Sequence, residues 1–417
     1  MAKPARIRLA GTIAATALCA AAATEAAAQT PPDDSVVLNQ QLQLGDVFSH
    51  QTLNVVDAQE QVTVSTSAQG NSASGAVENG SITLQSDQDM RGDAVATTDM
   101  TFGGDTWGVV NATTQAQGNY LAVSAYDADL TVDATQSNSG GLVSATSQLG
   151  DDDARLLGGA YINASAISNT VAMYGEGSSV GGTIDQSSTA TVRAYNRIET
   201  QYIPAEAVID SQAIVNAVQV TSGQTSGQNL SIIQSSTGDL VEAESSANSG
   251  NAWDLAGRAR AAANQAVLYN EGGSVVAASS QDNTAFVRAA ATTTAYDYGR
   301  AEAHARGAAN ELSVGNNDIY VEIDNSQFNS GGVAVTATFS GTNGYDVYVG
   351  ADAVGNSVTG YACSECEGYL EARNSQTNGG DVSAAADTTV AGSTRAVITG
   401  ANAVGNSASF YVSRPSH

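Results

Sequence analysis

The residues of this chain that could do chemistry are few and far apart. Cys363-Ser-Glu-Cys366 is the only cysteine pair beyond the N-terminal segment. In a reducing compartment that spacing would suit a redox site, and a zinc site would need two further ligands. Only His50, His304 and His417 remain to supply them, scattered over the sequence. For an exported chain the reading is therefore a local disulfide, Cys363 to Cys366, that pins the loop inserted after Tyr361. Asp33-Asp34 and Asp151-Asp152-Asp153 could offer carboxylate oxygens to calcium. Neither belongs to the glycine-rich nonapeptide ladder of calcium-binding β-rolls, and both read as solvated loops. Trp107, Trp253, Tyr345, Tyr348 and Tyr369 offer rings on which sugars could stack, but they lie too far apart in sequence to define a site. Acidic and basic residues are scattered, and no His has a positioned partner for acid–base work. The expectation is no catalytic residue, no metal site and no cofactor.

What does recur is asparagine. Asn71, Asn119, Asn169, Asn216, Asn264, Asn310, Asn356 and Asn406 follow one another at intervals of 48, 50, 47, 48, 46, 46 and 50 residues. Three residues before each stands Ala, except for Gly307, and the last two copies read Ala353-Val-Gly-Asn-Ser357 and Ala403-Val-Gly-Asn-Ser407. Counting back from each Asn, the first, third, fifth, seventh and ninth positions hold only Gly, Ala, Ser, Thr, Val, Ile or Leu. Charges in these stretches, such as Asp210, Arg258, Arg260, Glu302, His304, Arg306 and Asp352, fall on the even offsets. Period 2 with one charge-free face means a half-buried strand, and the small size of the inward residues means a close opposing wall. After the Asn the phase inverts, with apolar residues at the second and fourth positions, as in Leu121 and Val123 or Leu312 and Val314. A slip of one residue at a fixed place is what a bend or bulge produces, and Asn tolerates the left-handed conformation such a corner can require. Stacked copies could form an Asn corner ladder; the alternative is a solvated turn residue.

A second marker lies between the asparagines: Gln85, Gln136, Gln186, Gln234, Gln281, Gln327 and Gln376. A Gly-containing turn often follows, for example Gly331-Gly332, and then another alternating run such as Val333-Ala-Val-Thr-Ala337. Such units suit an all-β chain, a β-solenoid (β-helix) of about eight repeats, each supplying one long or two short coils. With two coils per repeat the rod would be on the order of 75 Å long. An array of small β-sandwiches fits less well, because no linker recurs.

Residues 1–28 read as a secretory signal peptide: Lys3, Arg6 and Arg8 precede the apolar stretch Leu9 to Ala23, and Ala26-Ala27-Ala28 offers cleavage before Gln29. Lipidation at Cys19 is disfavoured by the bulky Leu18 before it. The domain reading is signal peptide 1–28, an N-terminal segment or cap 29–60, the solenoid 61–412 and a tail 413–417. Loss of the signal removes three basic residues and Glu25 and takes the formal charge from −27 to −29, leaving no Lys. Such a chain repels nucleic acid and anionic membranes. Its acidity reads as solubility, with divalent-cation binding the alternative. No second apolar stretch of helical membrane-spanning length is present, and 6% aromatics do not make the girdles of a membrane barrel.

Together, the export signal, the Lys-free acidic body and the Gln/Asn-punctuated Ala-Val-Gly-Asn-Ser repeats from about Val62 to Val412 resemble the holdfast anchor protein HfaD family. The resemblance implies an outer-membrane-associated surface protein that ties an adhesive polysaccharide, the holdfast, to the envelope. It also implies two partners: a curli-like small subunit and a lipoprotein secretion pore. It brings no catalytic residues. The function expected is a non-enzymatic surface anchor. A curli-like amyloid fibre subunit, with self-association, is the first rival, and a β-helix enzyme acting on polysaccharide is the second.

Overall fold

The computed structural model describes residues 34–150, 153–318, 320–363 and 368–413. The signal peptide, Cys19 and residues 414–417 of the expected tail lie outside them. The described residues form no helix; strand follows strand from Asp34 to Val412, and every strand-to-strand ladder is parallel. The chain is a β-solenoid.

One repeat makes one coil. The register pairs each residue with its counterpart one repeat away, as in Gln234 with Gln281 and Asn264 with Asn310. The alternative of two coils per repeat is thereby corrected, and eight rungs at about 4.8 Å span roughly 35 Å, half the expected length. Sequence periodicity could not decide this, because alternation fixes which way a side chain faces and not which strand lies beside it.

Each rung has three sides. In the first they are Asp34–Gln43, Val47–Val55 and 62–78; in the eighth, Tyr369–Asn378, Val382–Val390 and Ala396–Val412. We call them the Gln side, the middle side and the Asn side. The stretch expected as a cap over 29–60 thus supplies, from Asp34, two sides of the first rung. It escaped notice because the Asn used to find the repeat comes last in each rung.

The Asn side bends at its Asn. Pairing between rungs runs from Ile214 with Ala262 directly to Asn216 with Asn264, so one residue drops out of the ladder, and burial switches phase there. None of the eight Asn adopts a positive φ. The left-handed conformation lies instead at the turn from one rung to the next, at Asn79, Asp127, Gly177 and Gln224. There the chain must reverse within a residue or two, whereas the corner at the ladder Asn is an open bend that ordinary β conformations reach.

The bend divides the interior into two apolar cores. One lies between the middle side and the first half of the Asn side, with Phe102, Ile162, Val192, Leu255 and Phe339. The other lies between the Gln side and the second half, with Leu130, Ile184, Val220 and Leu312. Most inward residues are Ala or Val, so each contributes little on its own, and the stack gathers stability by repetition.

Outside, Glu242 is held by Arg193 and Arg288 at 2.6 and 2.8 Å, and Arg258 by Glu302 at 2.8 Å. Beside them, burial holds the Asp210 carboxyl above the usual carboxylate range, against the pull of Arg258, the Ser211 amide and Arg260. A raised folded-state pKa means that the ionised group opposes folding, fully so above that pKa. The handicap fades as pH falls towards the unfolded value near ~3.9. Asp210→Asn is therefore expected to raise the melting temperature at pH 8 and to leave it unchanged near pH 3.5. Equal gains at both pH values would refute this electrostatic origin.

Candidate functional site

Between the two cores runs a polar seam built from the repeat markers. Seven side-chain bonds of 2.8–2.9 Å join the eight Asn, each Nδ2 donating to the Oδ1 of the Asn in the next rung, from Asn71 to Asn406. A parallel column of Gln is joined by bonds of 2.7–2.9 Å, each Nε2 donating to the Oε1 in the preceding rung. The two columns also stitch across the interior. Asn264 Nδ2 donates to the Asp282 carbonyl at 2.8 Å, and Gln234 Nε2 to the Gln265 carbonyl at 3.1 Å. Each interior amide thus spends both N–H groups and its oxygen inside the protein, as buried polar groups must.

The Gln column comprises Gln41, Gln88, Gln136, Gln186, Gln234, Gln281, Gln327 and Gln376. Gln85 is not a member and stands corrected: it pairs with Asp133 and points outward, while Gln88 pairs with Gln136 and is buried. Three residues separate the two glutamines, and an odd separation in a strand turns a side chain to the other face. Gln41, in the first rung, was missed with the rest of that rung.

The remaining sites fall apart or come together as follows. Cys363 is disulfide-bonded, and Cys366 lies outside the described residues. So do Asp33, Asp151, Asp152 and His417. His50 and His304 stand five rungs apart, each beside an aspartate, Asp99 at 4.0 Å and Asp352 at 3.4 Å. Among the described residues no group of three His, Cys, Asp or Glu side chains is placed to hold a metal ion.

The aromatic residues behave differently. At the corner between the middle and Asn sides, rungs four to eight form an open groove of about 710 Å³ lined by Tyr202, Asn251, Trp253, Tyr298, Tyr345 and Ser393, among others. The Trp253 and Tyr345 rings meet edge to face at 6.0 Å and remain 61% and 52% exposed. Gly299 and Gly344 make this possible, since a Cβ at either would overlap the ring of Trp253 or Tyr298 in the rung before. A smaller hollow of about 250 Å³ adjoins, where Arg300 and Arg395 meet Asp254 and Asp346. Arg395 covers the Tyr345 ring at 5.6 Å and Arg300 the Tyr348 ring at 5.3 Å, within cation–π range. Burial holds the Asp254 carboxyl above its ordinary range, against the pull of Arg300, whereas the Arg395 hydrogen bond holds Asp346 below it.

Of the five rings read from the sequence, the fold brings Trp253, Tyr345 and Tyr348 to this corner. It leaves Trp107 on the same corner in the second rung and sets Tyr369 on the Gln side, stacked on Tyr320 at 5.5 Å. Tyr202 and Tyr298 were missed. A signal existed for Tyr298: like Trp107, Trp253 and Tyr345, it stands 11 or 12 residues before the Asn of its own rung. The arrangement offers ring faces, amide and carboxylate groups and two guanidinium groups along one edge, a surface suited to a hydroxylated chain.

No curated protein and no solved structure matches the chain. A family model described as holdfast attachment protein D does match, over residues 56–332 of the 417. The chain belongs to the holdfast attachment protein D (HfaD) family.

Proposed function

We propose that the chain is a non-enzymatic attachment protein of the cell surface and that it holds an adhesive polysaccharide along the aromatic corner groove. The observation that carries this reading is the open pair of Trp253 and Tyr345 rings with charged and amide groups beside them, in a family named for attachment. The stack supports it mechanically, since load along the axis is shared by three parallel ladders and two amide columns. The signal read over residues 1–28 supports export, and outer-membrane association is part of the same reading.

Titration of the purified chain with surface polysaccharide tests it. Trp253→Ala and Tyr345→Ala are each expected to weaken binding about tenfold, the loss of one stacked ring. Unchanged binding in both would overturn the assignment of the groove. Glycan cleavage by the wild-type chain that disappears in Asp254→Asn would overturn the non-enzymatic reading, because Asp254, in the hollow beside the groove, is a carboxyl held above its ordinary range by burial.

A further inference from the structure

The charges of the rod are sorted by face. Arg373 is the one described cation on the half made of the Gln side and the second half of the Asn side. Apart from Arg91 at a turn, every other described Arg and both described His lie on the middle side, on the first half of the Asn side or at the corner between them. Carboxylates show no such bias. On the Arg-poor half Asp133, Glu176, Asp185, Glu271, Glu322 and Asp324 stand on the outer surface and pair with no described Arg or His.

Tyrosine rings stand among them, each two residues before a glutamate: Tyr174 before Glu176, Tyr269 before Glu271, Tyr320 before Glu322 and Tyr369 before Glu371. That separation puts ring and carboxylate on one face of a strand. In three of the four sets the phenol donates to its glutamate, at 3.3, 2.8 and 3.4 Å. Tyr369 and Tyr269 remain 47% and 41% exposed. In the last two rungs the rings also stack, Tyr320 on Tyr369 and, across the adjoining corner, Tyr361 on Tyr411 at 5.8 Å.

The other half of the molecule shows what such a set holds. Arg155, Arg300 and Arg395 lie over the rings of Tyr202, Tyr348 and Tyr345, the first at 5.9 Å. Each guanidinium also pairs with a carboxylate: Arg155 with Asp105 at 2.9 Å, Arg300 with Glu302 at 3.1 Å and Arg395 with Asp346. Ring face and carboxylate attract a cation together, the one through its quadrupole and the other through its charge. On the Arg-poor half the same sets stand without one: among the described residues no guanidinium covers Tyr174, Tyr269, Tyr320 or Tyr369. Arg373 reaches Glu371 at 3.2 Å but lies over no ring.

We propose that the Arg-poor half binds an amine-bearing polysaccharide laid along the stack, its ammonium groups seated on the Tyr–Glu sets as Arg300 and Arg395 sit on theirs. Charge favours this occupant, since the half is anionic in a chain of formal charge −27. Its architecture favours a sugar over a basic peptide. A peptide docks to a sheet by pairing with a free strand edge, and the Gln-side strands of this face are already paired on both sides from the second rung to the seventh. Exposed ring faces are what a pyranose stacks on. The surface shares no residue with the corner groove and does not depend on what that groove binds.

Titration of the chain from Gln29 with a glucosamine oligomer, and with the same oligomer fully N-acetylated, tests it at a pH where the amines are charged. The amine form is expected to bind at least about tenfold more tightly, and its binding to weaken as salt is raised. Glu322→Gln combined with Glu371→Gln, and Tyr320→Leu combined with Tyr369→Leu, should each weaken it about tenfold with circular dichroism unchanged. Asp99→Asn combined with Asp387→Asn removes the same charge from the middle side and should leave it unaltered. If the tyrosine variant misfolds, the glutamate variant, which changes surface carboxylates alone, decides the matter. Equal binding of the two oligomers, or an equal loss in the middle-side variant, would overturn the inference. Binding of an oligolysine of equal charge as tightly as the glucosamine oligomer would overturn the choice of a sugar and assign the face to a basic peptide. A chain that holds surface polysaccharide through Trp253 yet ignores the glucosamine oligomer would sink this inference and leave the groove assignment standing.

Discussion

Asn264→Ala is expected to destabilise the protein by about 3–5 kcal/mol, whereas Asn406→Ala costs under about 1 kcal/mol. Asn264 is fully buried in mid-stack. It accepts from Asn216 at 2.9 Å and donates to Asn310 at 2.8 Å and to the Asp282 carbonyl at 2.8 Å. Truncation leaves a donor and two acceptors without partners in a dry interior, where each orphan costs about 1–3 kcal/mol and the net loss is limited by local relaxation. Asn406, in the exposed last rung, accepts from Asn356 at 2.8 Å, and water can replace it. Chemical denaturation of both variants decides the matter, and equal losses would show that burial of the ladder does not govern its worth. Because neighbouring rungs are coupled, the Asn264 variant should also lose cooperativity and unfold from the lesion outwards.

The second large effect separates two glutamines three residues apart. Gln88→Ala is expected to cost about 2–4 kcal/mol, and Gln85→Ala to fall within about 0.5 kcal/mol of wild type. Gln88 receives Gln136 at 2.8 Å and donates to Gln41 at 2.8 Å and the Tyr120 carbonyl at 2.9 Å. Gln85 stands in solvent. Comparable melting temperatures for the two variants would mean that the register between 62–90 and the next rung is wrong by an odd number of residues.

Those two glutamines also show where the sequence is readable and where it is not. A strand declares its inward face through small apolar residues at alternate positions, so the Asn side could be read from residues such as Val347, Val349, Ala351 and Ala353. The same alternation through Ile82, Leu84, Ser86, Gln88 and Met90 marks Gln88 as inward. Gln88 also stands 48 residues before Gln136, within the spacing of the later copies, whereas Gln85 stands 51 before it, so phase and spacing both single out Gln88. Alternation carries no record of which strand is the neighbour, and that is why one coil per repeat could not be told from two. The groove was illegible for a related reason. Trp253, Tyr298 and Tyr345 are about a repeat apart along the chain, and only stacking brings them within reach of one another. Their recurring distance from the ladder Asn acquires meaning only once that Asn is known to mark the same level of every rung.

The opposed sense of the two amide columns governs how long such a stack can grow. Aligned amides sum their dipoles, and a single column of eight would leave partial charge of one sign at each end, as the peptide groups of a helix do. In this protein the Asn column donates towards the last rung and the Gln column towards the first. Their dipoles oppose one another a few ångströms apart, so neither end accumulates a field, and adding a rung costs the same electrostatically at any length.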